Sequence, residues 1–207
     1  MKNNNDVKIM LKEAGILFAI TLLSGLILGF VYELTKEPRR IQQEKAIVEA
    51  CQAVFADASA FEDLNYTVPE AMVADFAAKG VEIGTVFEAK DAAGAALGYV
   101  VETTSREGYG GNIVLYVGVR MDGTLNDVSI LQIAETPGLG MQAEDVLVPQ
   151  FSQKQVNSFT FTKTGSQSES EIDAISGATI TTEAVTNAVN SGLEVAAGLR
   201  EGGAANE

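Results

Sequence analysis

The stretch "NIVLYVGVRMDGTLNDVSILQI", residues 112–133, decides the fold class of the soluble part of the chain. Two apolar runs flank the pair Asp122-Gly123, which is a strong signal for a tight turn between antiparallel strands. Similar apolar runs stand on either side of it, namely "VEIGTVFEA" from Val81, "LGYVVETT" from Leu97 and "NSFTFTK" from Asn157. The pattern therefore predicts an antiparallel sheet.

Helical segments are predicted at both ends of this sheet. "VPEAMVADFAAKG" has Pro69 in its first turn and Gly80 at its end, as short helices often do. A last helix is expected from about Thr182 to Leu199, with Val185, Ala188, Val189, Leu193 and Ala196 on its buried face. Strands joined by tight turns and flanked by helices indicate an α+β fold.

The run "AGILFAITLLSGLILGFVY", residues 14–32, contains no charged residue. It has the ~20 apolar residues that a bilayer-spanning helix needs. A cleaved signal peptide usually has a shorter apolar core and a small-x-small cleavage site, and this run has neither feature, so a retained anchor is favoured. Basic residues flank the run on both sides, so charge bias does not choose its orientation.

Gly25 and Gly29 lie on one face of this helix, in the spacing that lets a second transmembrane helix approach closely. Pro38 is expected to end the helix. The sequence thus divides into a membrane anchor over 1–35, a helical connector over 36–80, the sheet domain over 81–200 and a disordered tail over 201–207.

Composition excludes several kinds of chemistry. The chain has no histidine and one cysteine, so histidine-based nucleophile systems and cysteine-ligated metal centres are not expected. Cys51 lies on the apolar face of a predicted helix and is interpreted as a buried small residue. The formal net charge of −14 disfavours nucleic acid and freely bound phosphorylated ligands.

The stretch "DAISGATITTEA", residues 173–184, places three threonines at the start of the last helix. A helix N-terminus offers free N–H groups and favours phosphate, and Gly177 and Ala178 leave space around Thr179. Helix capping would also explain one threonine, but capping requires neither Asp173 nor the Gly-Ala pair.

Two glycine-rich stretches are further candidates. "GLGMQA", residues 138–143, fits the dinucleotide pattern Gly-x-Gly-x-x-Ala, but it neither follows a strand directly nor opens a long helix. A tight loop whose backbone approaches a ligand is the better interpretation. "EGYGGN", residues 107–112, is a predicted turn in which Tyr109 either packs or faces a flat ring. The alternating acids of "SESEID" are interpreted as a solvated loop.

The pattern Asp-x-x-Ser-Gly-Ala-Thr resembles the flavinylation motif of the FMN-binding domain family. That resemblance implies a single FMN joined by a phosphoester to Thr179, with Asp173, Ser176, Gly177 and Ala178 completing the motif. "ETPGLG", residues 135–140, resembles the second signature of the family, a loop beside the flavin ring, and implies that Glu135, Thr136, Gly138 and Leu139 lie near the ring. "GYGG" with Tyr109 agrees as well.

Over nearly the whole chain, length and order resemble the G subunits of Rnf complexes, which are ion-translocating ferredoxin:NAD oxidoreductases. The C subunits of sodium-pumping NADH:quinone oxidoreductases are related. The resemblance implies an electron-transfer subunit that is anchored among other membrane subunits of the Rnf complex, faces the extracytoplasmic side, and is not a complete enzyme alone. A separate flavin transferase would attach the FMN. A non-redox assembly or sensing module and a stand-alone extracytoplasmic flavoprotein are the alternatives.

Overall fold

The computed structural model describes the backbone of residues 4–203 and the side chains of residues 7–202. The helices are α1 (Asn4–Val54), α2 (Glu70–Ala78), α3 (Ala143–Val146), α4 (Val148–Phe151) and α5 (Thr179–Gly203), with a short 3-10 helix at Gly140–Gln142. The strands are β1 (Ala60–Asp63), β2 (Val81–Lys90), β3 (Ala96–Ser105), β4 (Ile113–Arg120), β5 (Leu125–Gln132), β6 (Thr160–Thr162) and β7 (Glu171–Asp173). The chain forms two compact units, Met1–Lys45 and Ala46–Glu207.

The first unit is helical over its described residues, and the apolar side chains from Val7 to Ile41 are exposed. By length and composition α1 is able to cross a membrane, and none of its most apolar window is buried. The prediction that Pro38 ends the helix is wrong, because α1 continues through it. A proline removes one backbone hydrogen bond, and the helix continues past it here. Arg40 forms ion pairs with Glu37 and Glu44, which are helical neighbours on either side of it.

The second unit contains a five-stranded sheet in the order β1-β2-β3-β4-β5, in which every neighbouring pair is antiparallel. The predicted antiparallel α+β fold is confirmed. The sheet starts earlier than predicted: β1 lies inside the stretch expected to be a helical connector, and the compact unit begins at Ala46. A separate pair, β6 and β7, is parallel. The interpretation of "SESEID" as a loop is wrong for residues 171–173, which form β7.

The main core lies between α5 and one face of the sheet. Alternate residues of β4 point into it, as expected for a strand with one face against a helix. These residues are Ile113, Leu115, Val117 and Val119, and they share the core with all five residues predicted for the buried face of α5. The helix pattern of that segment is therefore confirmed.

A smaller core covers the opposite face of the sheet. Cys51, Val54 and Phe55, at the end of α1 and just after it, pack there against Tyr116. Gly98 lets the phenyl ring come close, since a Cβ at that position would lie 2.7 Å from Phe55 Cζ. Cys51 is 1% exposed, so its interpretation as a buried small residue is confirmed.

The hairpin between β4 and β5 has the predicted turn. Gly123 has φ +91°, a conformation that glycine adopts without steric cost. Its N–H donates to the Arg120 carbonyl at 2.9 Å. The Thr124 N–H donates to Asp122 Oδ1 at 2.8 Å, and this bond lowers the pKa of the Asp122 carboxyl.

The last helix is longer than predicted at both ends. It begins at Thr179 instead of about Thr182, and it continues to Gly203. The first three residues of the predicted tail, 201–203, are thus helical, and residues 204–207 lie outside the described residues. The earlier start is important for the site, because it makes Thr179 the first residue of α5.

Candidate functional site

A tight turn connects β7 to α5. The Ala178 N–H donates to the Ile175 carbonyl at 3.0 Å, and Gly177, the third residue of the turn, has φ +77°. A type II turn requires this conformation at its third position and therefore favours glycine there. Ser176 and Gly177 are exposed, and the turn delivers Thr179 to the N-terminus of the helix.

The three threonines of this segment have different surroundings. The Thr182 hydroxyl accepts the Ile175 N–H at 3.1 Å and donates to the Ala178 carbonyl at 3.0 Å, so it stabilises the turn. Thr181 is 1% exposed. Thr179 is partly exposed, and within the described part of the chain its hydroxyl has no hydrogen-bond partner. Thr179 is thus the threonine that remains open to modification.

Thr179 borders a cavity of about 480 Å³. Three chain segments meet there: the turn after β3, the loop after β5 and the start of α5. The lining residues are Tyr109, Glu135, Thr136, Leu139, Gly140, Gly177, Ala178, Thr179, Ile180 and Thr181. The structure therefore brings together seven of the ten residues that the sequence nominated.

The loop after β5 turns sharply beside the cavity. The Leu139 N–H donates to the Thr136 carbonyl at 3.1 Å, and Gly138 has φ +76°. Thr-Pro-Gly-Leu is thus a second type II turn, with proline and glycine at the positions that this turn prefers. Gly138 shapes the loop without lining the cavity. Leu139 is 39% exposed, and its Cδ2 lies 3.1 Å from where a Gly177 Cβ would stand.

Glu135 connects the two glycine-rich segments. It is 8% exposed, and its Oε1 accepts the Gly110 N–H at 3.3 Å. A Cβ on Gly108 would lie 2.9 Å from Oε1, and a Cβ on Gly140 would lie 2.9 Å from Oε2. The carboxylate therefore occupies space that any larger residue at these two positions would fill.

Tyr109 extends from the tip of the turn after β3 and is 72% exposed. The turn packs against the backbone of Ala134, the residue before Glu135. A Cβ on Gly110 would lie 2.0 Å from the Ala134 carbonyl oxygen. Glycine at 110 thus sets how closely the two loops approach and where the Tyr109 ring stands.

Asp173 and Ser176, which belong to the motif, are not among the lining residues. The Asp173 carboxylate accepts the Ser166 N–H at 2.6 Å, so here it holds the preceding loop. The Gln150 side chain binds the Asp173 backbone at two points: Nε2 donates to the carbonyl at 3.1 Å, and Oε1 accepts the N–H at 2.7 Å. Sequence analysis missed Gln150, since a glutamine in a four-residue helix carries no recognisable signal.

The residues next to the cavity carry negative charge only, since Arg106, at the start of the turn after β3, is ion-paired with Glu82. Residues 107–111, 135–146 and 173–183 contain six acidic residues and no lysine or arginine. Residues 121–199 contain two basic residues in all, Lys154 and Lys163. A phosphate beside Thr179 would therefore meet backbone N–H groups at the start of α5 and no neighbouring cation from these segments.

The loop at 138–143 lacks the form of a dinucleotide site. A 3-10 helix at Gly140–Gln142 and then two four-residue helices stand in place of one long helix. The predicted tight turn is confirmed at Gly138, which has φ +76°, and approach of its backbone to a ligand stays a prediction.

Known proteins match this chain in both sequence and length. The family model for the FMN-binding domain matches residues 108–194, which include all three segments of the cavity. The G subunit of the Na(+)-translocating ferredoxin:NAD(+) oxidoreductase complex of Acetobacterium woodii is 31% identical over 92% of this chain and 93% of its own. The chain belongs to the family of G subunits of ion-translocating oxidoreductase complexes.

Two further proteins are similar to the chain. The G subunit of the proton-translocating ferredoxin:NAD(+) oxidoreductase complex of Clostridium ljungdahlii is 31% identical over 88% of this chain and 93% of its own. The crystal structure of NqrC from Shewanella oneidensis is similar over 57% of this chain and 61% of that one, with a TM-score of 0.47 and 24% identity.

Proposed function

We propose that this chain is the membrane-anchored flavoprotein subunit of an ion-translocating ferredoxin:NAD oxidoreductase complex, with one FMN esterified to Thr179. The observation that carries the proposal is the position of Thr179: it is partly exposed and unpartnered at the edge of the cavity, whereas Thr181 and Thr182 are buried. When bound, FMN supplies the redox chemistry, and the protein supplies position and electrostatic environment.

The charge around the site explains why a covalent link is useful. A free flavin phosphate would approach a chain of net charge −14 through segments without lysine or arginine. The N–H groups at the start of α5 favour the phosphate but act only within the first turn. An ester between the Thr179 hydroxyl oxygen and phosphorus keeps the flavin in place at any concentration.

The cavity walls suit a flat, largely apolar ring system. Leu139 and Ile180 offer apolar contacts, Tyr109 offers an aromatic face, and the Thr136 hydroxyl offers a hydrogen bond. Gly177 and Gly140 allow backbone to approach closely, because side chains there would meet Leu139 and Glu135. Ser176 and Asp173 act through the shape of the attachment turn.

The proposal includes how the flavin is attached and on which side of the membrane the domain lies. No histidine exists in the chain to activate the Thr179 hydroxyl, so a separate flavin transferase forms the ester. In that step the Thr179 oxygen loses its proton and replaces the leaving group on the phosphorus of an activated flavin nucleotide. α1 anchors the subunit, and residues 46–207 lie on the extracytoplasmic side. There the subunit relays electrons between its neighbours in the complex while the complex moves Na⁺ or H⁺.

Denaturing electrophoresis of the purified complex tests this function. A covalently bound flavin survives unfolding, so we expect a yellow, fluorescent band at the mass of this subunit. A colourless band from cells that hold an active flavin transferase would instead indicate a non-redox assembly or sensing module.

We expect Leu139→Ala to keep the covalent flavin but to shift its absorption or redox potential, because the ring loses an apolar contact. Since Leu139 is 39% exposed, the stability cost should fall below the ~2–5 kcal/mol of a buried leucine. Leu131→Ala is the matched control, since Leu131 is 36% exposed and lies outside the cavity. An unchanged flavin spectrum and potential in Leu139→Ala would show that the loop has only a structural role.

The double variant Gly25→Leu, Gly29→Leu should still insert into the membrane, because leucine is apolar, but it should lose association with neighbouring subunits. No described atom outside the local helix lies within 4 Å of a Cβ at either glycine, so this face is open to a partner helix. Ser24→Leu adds bulk to the same helix at about 100° or more around the axis from both glycines, and it serves as the control. Full copurification of the double variant with the complex would exclude this face as the contact.

A further inference from the structure

The exposed apolar side chains of the second unit are concentrated beside the cavity. Nine large apolar residues are exposed in the described part of that unit, and five of them belong to segments that form or adjoin the site. These five are Tyr109, Leu139, Met141, Val146 and Ile180. Exposed apolar side chains that are concentrated in one part of a domain mark an interaction site.

The cofactor alone does not account for this surface. Tyr109, Leu139 and Ile180 line the cavity, so a bound flavin would cover part of them. Met141 is 42% exposed and Val146 is 37% exposed, and neither lines the cavity. Both remain uncovered when the cavity is filled.

Met141 and Val146 are nevertheless close to the attachment site. Met141 is the middle residue of the 3-10 helix, whose first residue, Gly140, would place a Cβ 2.6 Å from the Thr181 hydroxyl. The Gln150 amide donates to the Val146 carbonyl at 2.7 Å and also holds Asp173, which leads into the turn before Thr179. We call Leu139, Met141, Val146 and Ile180 the docking face.

The border of the docking face is acidic. Glu144 and Asp145 lie between Met141 and Val146 in sequence, and Glu183 follows Ile180 by one helical turn. All three are exposed. An acidic border repels the anionic surface of a bilayer and favours a protein surface with lysine or arginine around an apolar centre.

We propose that the docking face binds a redox partner protein of the same complex, through an apolar patch surrounded by basic side chains, and so places the partner's redox group next to the open side of the cavity. This inference rests on the proposed function. It assigns the partner contact to the 3-10 helix, α3 and the first turn of α5.

The test compares two methionines of similar exposure in the purified, reconstituted complex. Met141→Glu puts a charge in the centre of the docking face, and Met121→Glu, in the β4–β5 turn, is the control, since Met121 is 44% exposed. Neither residue lines the cavity, so intact mass should show full FMN in both variants. We expect reduction of the bound flavin by its partner to slow ~10-fold or more in Met141→Glu, as for loss of one central interface contact.

Equal flavin reduction rates in the two variants would show that the docking face does not bind the redox partner, and the proposed function would stand. Absence of FMN from the wild-type subunit would overturn both. The double variant Glu144→Lys, Asp145→Lys should also slow reduction, and added salt should reduce its difference from wild type. A faster rate in this variant would contradict the basic partner surface.

A second measurement separates a protein partner from a lipid surface. The chain has no tryptophan, so Met141→Trp provides a single tryptophan signal in the isolated full-length protein in vesicles. We expect brominated lipids to leave that fluorescence unquenched, as in a Met121→Trp control. Quenching at position 141 alone would show that the face enters the bilayer and would overturn the proposal.

Discussion

Thr179→Ala will leave the chain without covalent flavin, even where the transferase is active and the domain is folded. The substitution removes the hydroxyl oxygen that forms the ester and changes little else, because Thr179 is partly exposed and its hydroxyl has no partner among the described residues. Intact mass of the purified protein measures the result. An FMN-sized increase in the mass of the Thr179→Ala protein would contradict the assignment.

Three further variants serve as controls for Thr179→Ala. Thr179→Ser keeps a hydroxyl at the same place and should accept flavin at least in part. Thr181→Ala and Thr182→Ala should both keep the flavin. Thr182→Ala should also lower the free energy of unfolding by ~0.5–2 kcal/mol, because its hydroxyl caps the turn at the start of α5. Loss of flavin from either of these two variants, in folded protein, would contradict the assignment of Thr179 as the attachment residue.

Gly110→Ala will destabilise the domain and change the flavin environment together. The new Cβ would lie 2.0 Å from the Ala134 carbonyl oxygen, which is backbone and cannot rotate away. The turn must then move off the loop, which weakens the bond from the Gly110 N–H to Glu135 and displaces Tyr109. We expect a loss of ~1–3 kcal/mol, as for an overpacked core, and a shifted flavin absorption in a still flavinylated protein.

Gly94→Ala separates this steric effect from a general effect of losing glycine. Gly94 lies in the turn between β2 and β3 and has φ +84°, but nothing stands within 4 Å of a Cβ there. Alanine at 94 should therefore cost ~1–2 kcal/mol of backbone strain and leave the flavin spectrum unchanged. Thermal unfolding and absorption of both variants provide the comparison. A wild-type spectrum in Gly110→Ala would show that Tyr109 and Glu135 do not set the ring environment.

The predicted parts of the fold are those that local patterns determine. Alternating apolar residues and the Asp122-Gly123 pair predicted the central hairpin, and the helical spacing after residue 182 predicted the buried face of α5. Local patterns failed at Pro38, where the helix continues, and at β1 and β7, which are strands of four and three residues. Such short strands contain too few residues to show a period, so tertiary pairing decides them.

Chemistry and resemblance predicted most of the residues that line the cavity. They did not predict the contacts that hold the surrounding loops in place. Glycines next to threonine and glutamate indicated the loops that meet at the cavity. The contacts that hold those loops are long-range: Glu135 bonds Gly110, and Gln150 bonds Asp173. Partners separated by more than 20 residues along the chain leave no periodic signal, so sequence alone does not identify them.

The order of segments along the chain has a consequence for biosynthesis. Within the sheet, strands β1 to β5 each pair with their sequence neighbours, so the sheet is able to form while the ribosome is still making the rest of the protein. The cavity has walls from the middle of the chain, but Thr179, the proposed flavin acceptor, is the first residue of the last helix. We therefore expect a flavin transferase that recognises the assembled cavity to modify only chains in which α5 has been made and has packed onto the sheet. Nascent or truncated chains that end before Thr179 should stay colourless, even when their sheet has formed.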